Sequence, residues 1–331
     1  MRERIGYQIT EAKVDLTMRS LTIFLIALLV GCGTLHDTHT DNPDNLSEEQ
    51  LLRHVYTSVV DGLERDAYIY LPRGYDDDSS RKWPVMIYLH GDGERGDGKD
   101  DLDYVMGYGP LYEAWVQKKD MPFILIVPQL HMFGRDGPDG PSYILNRTRE
   151  GIPRRQEDGV PPHHTDMPAL AYFGPMKGAI PAESPESRDY LNDTGWRRTD
   201  PDFINILDSV LQTFNADKDR VYLTGASIGG FGTCYFASTY PDKFAALLPV
   251  VGYPSVEQAE AIAKADIPVW IFSGGRDPAV ETKYFFAGMN RMDELGATIR
   301  FTTEQDMFHD VWNRVYAGDD VYNWLLRYRK R

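Results

Sequence analysis

Cysteine is almost absent from this chain: 331 residues hold only 2, Cys32 and Cys234. Two cysteines supply no disulfide framework, so the fold must be held by its core. Basic residues are outnumbered, with 35 Lys and Arg against 50 Asp and Glu, a formal net charge of −15 at pH 7. That balance argues against nucleic acid as a partner and against adsorption on anionic lipid, and it repels acidic substrates. Long apolar runs are missing as well. The stretch from Leu21 to Val30 covers about half of the roughly 20 residues that span a bilayer. No internal repeat is visible. What is present is 42% hydrophobic residues, enough for one large α/β core.

The most informative stretch is Gly225-Ala226-Ser227-Ile228-Gly229. It follows Arg220-Val221-Tyr222-Leu223-Thr224, which reads as a short buried strand, and precedes Gly230 to Ala237, which reads as a small-residue helix. A Gly-x-Ser-x-Gly between strand and helix is the turn that presents a nucleophilic serine. The hydroxyl stands exposed on a strained turn, and a Cβ at either flanking glycine would strike the neighbouring strand or helix. Glycine-rich turns also serve as plain connections, so the pentapeptide needs support from the rest of the chain.

Chain order supplies that support, because a serine presented this way takes its acid and its histidine from later strand ends. Ile267 to Phe272 is an apolar run, and the loop Ser273-Gly274-Gly275-Arg276-Asp277-Pro278 puts Asp277 at its carboxyl end. Ala297 to Thr302 alternates like a half-buried strand, and the loop beyond it carries Phe308-His309-Asp310. Of the 8 histidines, only His309 follows Ser227. Asp277 could instead make an Asx-turn before Pro278, with Asp306 and Asp310 the other carboxylates near His309. Asp310 adjoins His309 in sequence, which sends its side chain elsewhere and favours Asp277.

Acyl transfer also needs N–H donors aimed at a developing oxyanion. One is expected from Ile228, the residue after the serine. The other is expected from the loop His90-Gly91-Asp92-Gly93-Glu94-Arg95-Gly96, which follows the apolar strand Trp83 to Leu89. The loop lacks the Gly-Lys-Ser/Thr ending of a phosphate loop. Asp92, Glu94, Asp97, Asp100 and Asp101 do not follow EF-hand spacing, so they read as a solvated acidic loop, with no metal or cofactor called for.

Residues 88–98, 221–252, 267–280 and 308–326 resemble the α/β-hydrolase esterases grouped as predicted peptidases, phospholipase/carboxylesterases and polyhydroxybutyrate-depolymerase-like esterases. Feruloyl and acetyl-xylan esterases are relatives of that group. The resemblance covers the chain from about residue 50 to its end. It implies an α/β-hydrolase fold, with a mostly parallel sheet of about eight strands flanked by helices. It further implies Ser227 as nucleophile, His309 as base, Asp277 as the group orienting the base, and the Asp92 and Ile228 N–H groups as oxyanion donors. The implied activity is cofactor-free hydrolysis of a small-molecule or polysaccharide-linked carboxylic ester through an acyl-enzyme. A peptidase of the same fold and a non-catalytic surface binding protein are the alternatives. Two positions depart from the group. Asp92 stands where a neutral residue is common, so its carboxylate must point away from the oxyanion, and Ser273 stands where histidine is frequent.

Residues 1–31 read as a signal peptide, with Met18 as an alternative start. Leu29-Val30-Gly31-Cys32 resembles a bacterial lipobox, which implies lipid on Cys32 and attachment to a membrane through it. Gly33 then implies the outer membrane, with the protein facing the periplasm or the surface. Residues 32–49 read as a tether and 50–331 as one catalytic domain. Paired strands are expected within 54–72 around Asp61-Gly62, then strands at 84–89, 122–127, 220–224, 245–250, 268–272 and 298–303. A helix over 201–214 should be capped by Thr199 or Asp200, and a closing helix should run over about 319–329. Residues 130–198 break the pattern and read as a lid at a strand's carboxyl end. Phe133, Tyr172 and Trp196, with Tyr143, Phe173 and Tyr190, either line the substrate pocket or anchor the insertion on the core. His131, His163 and His164 lack metal-ligand spacing.

Overall fold

The computed structural model describes residues 46–156, the backbone of 170–172, and residues 195–330. The stretch read as a signal peptide, Cys32, and His163, His164, Phe173 and Tyr190 lie outside the described residues. Among the described residues the strands are β1 (Gln50–Thr57), β2 (Glu64–Leu71), β3 (Trp83–Leu89), β4 (Ile124–Val127), β5 (Leu170–Tyr172), β6 (Ala216–Ala226), β7 (Ala246–Val250), β8 (Val269–Gly274) and β9 (Ile299–Glu304). They form one sheet in the order β1-β2-β4-β3-β6-β7-β8-β9-β5. β1 and β2 pair antiparallel across a turn in which Gly62 takes φ +74°. β2 is antiparallel to β4, and from β4 to β9 all neighbours are parallel. β5 closes the far edge antiparallel to β9, with Leu170 opposite Thr303. It is the strand beyond the eight expected, and three residues are too few to display the period of two that marks a strand.

Among the described residues the α-helices are α1 (Ser142–Leu145), α2 (Asp200–Thr213), α3 (Ile228–Thr239), α4 (Val256–Lys264), α5 (Phe286–Glu294), α6 (Trp312–Ala317) and α7 (Asp320–Leu325). α2 takes Pro201 in its first turn and buries Phe203, Ile206, Leu207 and Val210. The expected caps are not made. Thr199 Oγ donates to the Trp196 carbonyl at 2.9 Å, and the Asp200 carboxylate receives the Tyr235 and Tyr240 hydroxyls instead. α7 ends at Leu325, earlier than the sequence suggested.

β3, β4, β7 and β8 are buried along their whole length, which is why they read as continuous apolar runs rather than as alternation. Their side chains still divide between the faces with a period of two. Val85, Ile87, Leu223 and Ile271 share one cluster with Phe203, Phe236 and Ile262, while Met86, Tyr88, Tyr222 and Trp270 share another with Leu102, Tyr316 and Trp324. Each such fully buried side chain contributes about 1.5–3 kcal/mol of hydrophobic stabilisation. Cys234 is among them, its thiol pushed up in pKa by burial, so it serves as core. Parallel strands put their carboxyl ends on one rim, and the segments leaving β3, β6, β8 and β9 there carry Asp92, Ser227, Asp277 and His309.

Candidate active site

Ser227 sits between β6 and α3 with φ +56° and ψ −119°, a strained backbone for a residue with a side chain. Its N–H donates to the Val250 carbonyl at 3.0 Å, and its own carbonyl accepts from Gly230 N at 2.8 Å. The flanking glycines make the turn possible. A Cβ on Gly225 would lie 2.3 Å from the Gly229 carbonyl oxygen, and one on Gly229 would lie 1.9 Å from that of Leu89. Strand and helix can therefore meet this closely only without side chains at both positions.

His309 Nδ1 is 2.7 Å from Asp277 Oδ2, and its Nε2 is 2.9 Å from Ser227 Oγ. An ionised carboxylate can only accept, so Nδ1 carries the proton and Nε2 is left to accept from the serine hydroxyl. The other Asp277 oxygen accepts from Ala279 N at 2.8 Å and Val280 N at 3.0 Å. Burial pushes the Asp277 carboxyl up, but the bond and charge of His309 and these two N–H groups outweigh it and hold the group below its ordinary value. Asp277, not Asp306 or Asp310, is the carboxylate bonded to His309. Asp306 forms a two-armed pair with Arg314, both contacts at 2.7 Å, and Asp310 is exposed. Gly275 N bonds the Glu304 carbonyl at 2.8 Å and Arg276 N that of Met307 at 2.9 Å, so the acid loop and the histidine loop are laced together.

Ile228 opens α3 and Asp92 opens a short 3₁₀ turn, Asp92–Glu94. An N–H at the first residue of a helical segment has no acceptor within that segment, so both are available to a ligand. His90 fixes the loop before Asp92. It is fully buried, and burial pushes its imidazole down to about 3. The neutral ring donates from Nδ1 to the Gly91 carbonyl at 2.7 Å and accepts Leu130 N–H on Nε2 at 2.9 Å.

The acidic loop is solvated at Asp97 and Asp100, which are exposed, but not at Asp92 and Glu94. Asp92 Oδ1 receives Arg95 Nε at 2.6 Å, and Oδ2 receives the Tyr143 hydroxyl at 2.7 Å and Arg135 Nη2. Burial pushes Asp92 up and the Arg95 charge with these bonds more than reverses it, leaving the carboxyl low. Glu94 accepts the Tyr108 hydroxyl, and burial raises it to about 7. Local Arg95 and distant Arg135 and Tyr143 hold the Asp92 carboxylate, and Tyr108 holds that of Glu94.

Ser227, Ile228, Asp92 and His309 open into a cavity of about 650 Å³. Its walls include Tyr104, Tyr108, Trp312 and Val280, and from the insertion Arg135, Tyr143, Arg147, Ile152 and Pro153. Trp312 meets His309 edge-on with centroids 5.2 Å apart and stacks on Tyr108 at 4.8 Å. Two expected pocket residues are elsewhere. Trp196 is buried, donating Nε1–H to the His90 carbonyl at 3.2 Å with its ring against His90, so it anchors the core. Phe133 lies between His131 and Arg198 on a second cavity of about 760 Å³ that holds no triad residue. Of Tyr172 only the backbone is described, in β5. Ser273 is buried, its hydroxyl 3.0 Å from Thr303 Oγ. Composition concealed Glu94, Tyr108 and Arg147, whereas Trp312 stands only three residues after His309 in the chain.

A mostly parallel sheet with this serine turn and this Ser–His–Asp geometry is an α/β-hydrolase fold. The sequence profile of the prolyl oligopeptidase family matches residues 192–285. Acetylxylan esterase A of Emericella nidulans is 43% identical over 51 residues, 15% of this chain and 17% of that protein. Feruloyl esterase B of Talaromyces funiculosus is 41% identical over 51 residues, 15% of this chain and 14% of that protein. The chain thus spans less than a fifth of these curated relatives. Among solved structures, a thermostable esterase superposes with a TM-score of 0.55 at 22% identity, covering 84% of this chain and 63% of that one. At that identity the likeness speaks for the fold.

Proposed function

We propose that this protein is a serine carboxylesterase. The observation that carries the reading is the unbroken relay from Asp277 through His309 to Ser227, at 2.7 and 2.9 Å, on a turn flanked by two N–H donors. His309 Nε2 takes the hydroxyl proton as Ser227 Oγ attacks the ester carbonyl. Asp277 holds the tautomer and stabilises the imidazolium that forms. The Asp92 and Ile228 N–H groups receive the oxyanion, the imidazolium protonates the departing alcohol, and water activated by the same histidine releases the acid.

Two relatives whose names are those of esterases, one for acetylxylan and one for feruloyl esters, support an ester rather than an amide. The walls of Tyr104, Tyr108, Tyr143 and Trp312 suit a flat or compact acyl group, such as a phenolic acid or acetate on a small or polysaccharide-linked alcohol. The prolyl oligopeptidase profile favours a second reading, amide cleavage by the same serine. Export and attachment through a lipid on Cys32, at the outer membrane, are also proposed, on the strength of the Leu29-Val30-Gly31-Cys32 stretch.

A soluble form starting after Cys32 tests the activity on p-nitrophenyl acetate, butyrate and octanoate and on methyl ferulate, beside peptide p-nitroanilides. Turnover of esters is expected to fall by about 10⁴-fold or more in Ser227→Ala. Ester turnover that survives in Ser227→Ala would overturn the proposal, and Ser227-dependent cleavage of the anilides alone would establish the peptidase.

A further inference from the structure

The insertion grips the oxyanion loop through one carboxylate. Asp92 Oδ2 accepts the Tyr143 hydroxyl at 2.7 Å and Arg135 Nη2, and that same Nη2 lies 3.0 Å from the Tyr143 hydroxyl. Arg135 and Tyr143 both come from the insertion, and both line the catalytic cavity. The grip extends along the loop. Arg147, also from the insertion, donates to the Gly93 carbonyl at 3.0 Å and to that of Arg95, and pairs with Asp101 at 2.9 Å. In return, buried Arg95 reaches out of the loop to the His131 carbonyl at 2.7 Å while its Nε holds Asp92 Oδ1.

The electrostatics give this contact a purpose. An ionised carboxylate on the residue that supplies an oxyanion donor opposes the charge that the donor must stabilise, unless it is turned away and neutralised. We propose that Arg135 and Tyr143 are positioning residues for the oxyanion hole. They hold the Asp92 carboxylate away from the reacting carbonyl and so keep the Asp92 N–H on the oxyanion. The insertion then sets the rate of the chemical step as well as the shape of the pocket. This inference rests on the serine-esterase reading of the same site.

The experiment compares Tyr143→Phe, Arg135→Gln, the double variant, and the double variant carrying Asp92→Asn. Each is measured for kcat and KM on p-nitrophenyl acetate and for affinity to a trifluoromethyl ketone, which adds to Ser227 and places an oxyanion in the hole. In the double variant kcat is expected to fall about 10- to 100-fold with KM within about twofold, and ketone affinity to fall in parallel. Adding Asp92→Asn removes the misplaced charge and is expected to recover most of both losses. Tyr143→Phe, which deletes one hydroxyl from a half-exposed ring, gives a smaller loss of the same kind with the fold unthreatened. The inference is overturned if kcat and ketone affinity hold in the double variant, if KM rises alone, or if Asp92→Asn recovers nothing. Ser227→Ala in the same assay keeps the two readings apart, since turnover that survives there removes the esterase reading itself.

Discussion

Replacing Glu94 by Gln should alter the pH dependence of stability in a way that can be worked out in advance. The carboxyl is removed from water under the loop that supplies Asp92, where it accepts the Tyr108 hydroxyl and lies 3.9 Å from His90 Nδ1. Burial raises its pKa from 4.5 to about 7. Between those values the folded chain keeps a proton that the unfolded chain has released. The contribution of Glu94 is therefore fully present below pH 4.5 and is lost as pH rises towards 7. At roughly 1.4 kcal/mol per pH unit the loss is about 3 kcal/mol. Other groups mask it in the parent protein. Buried Glu113, also raised to about 7, adds to the fall. His90 and His131, pushed down by burial to about 3 and about 4, contribute in the opposite sense, because a buried neutral imidazole is stabilising above its ordinary pKa and that stability is lost as pH falls. The difference between parent and Glu94→Gln cancels all three. Urea unfolding followed by tryptophan fluorescence, from about pH 4 to about pH 8, should show that difference moving by about 3 kcal/mol in favour of Gln. Two curves that stay parallel to within about 0.5 kcal/mol would refute the reasoning, since the folded protein would then hold no extra proton at Glu94.

Two further outcomes follow from the serine turn and its relay. Gly229→Ala would set a Cβ 1.9 Å from the Leu89 carbonyl oxygen and 2.6 Å from its carbon, and because these are backbone atoms of β3, the strand must move. A loss of more than about 2 kcal/mol is expected, read as a lower urea midpoint with ester turnover falling in step. An unchanged midpoint would mean that strand and helix are less closely packed than described. Asp277→Asn keeps the shape of the contact at 2.7 Å but offers His309 Nδ1 an amide, which no longer selects the tautomer. Steady-state kinetics on p-nitrophenyl acetate should show kcat down about 10³- to 10⁴-fold with KM little changed. A loss under about tenfold would move the orienting role to another group.

The parts of this protein that its sequence determined are those written in neighbouring residues. Gly225 and Gly229 are there because two backbones approach within the space of a side chain, a constraint local to the turn. The parallel sheet showed itself because strands buried on both faces need unbroken apolar runs, as in Trp83–Leu89 and Val269–Gly274. Asp277 and His309 could be picked out because each lies in the loop after a legible strand, one an apolar run and the other alternating, and parallel strands deliver their ends to one rim. What only the tertiary structure decided depends on contacts far apart in the chain. Trp196 could have lined the pocket or anchored the insertion, and the bond to the carbonyl of His90, 106 residues away, makes it an anchor. Asp92 and Glu94 looked solvated because no local pattern records that Arg135, 43 residues on, and Tyr108, 14 residues on, would cover them. A carboxylate's character is set by its burial and by the charge beside it, and for Asp92 and Glu94 much of both comes from residues that only the folded chain brings to the loop.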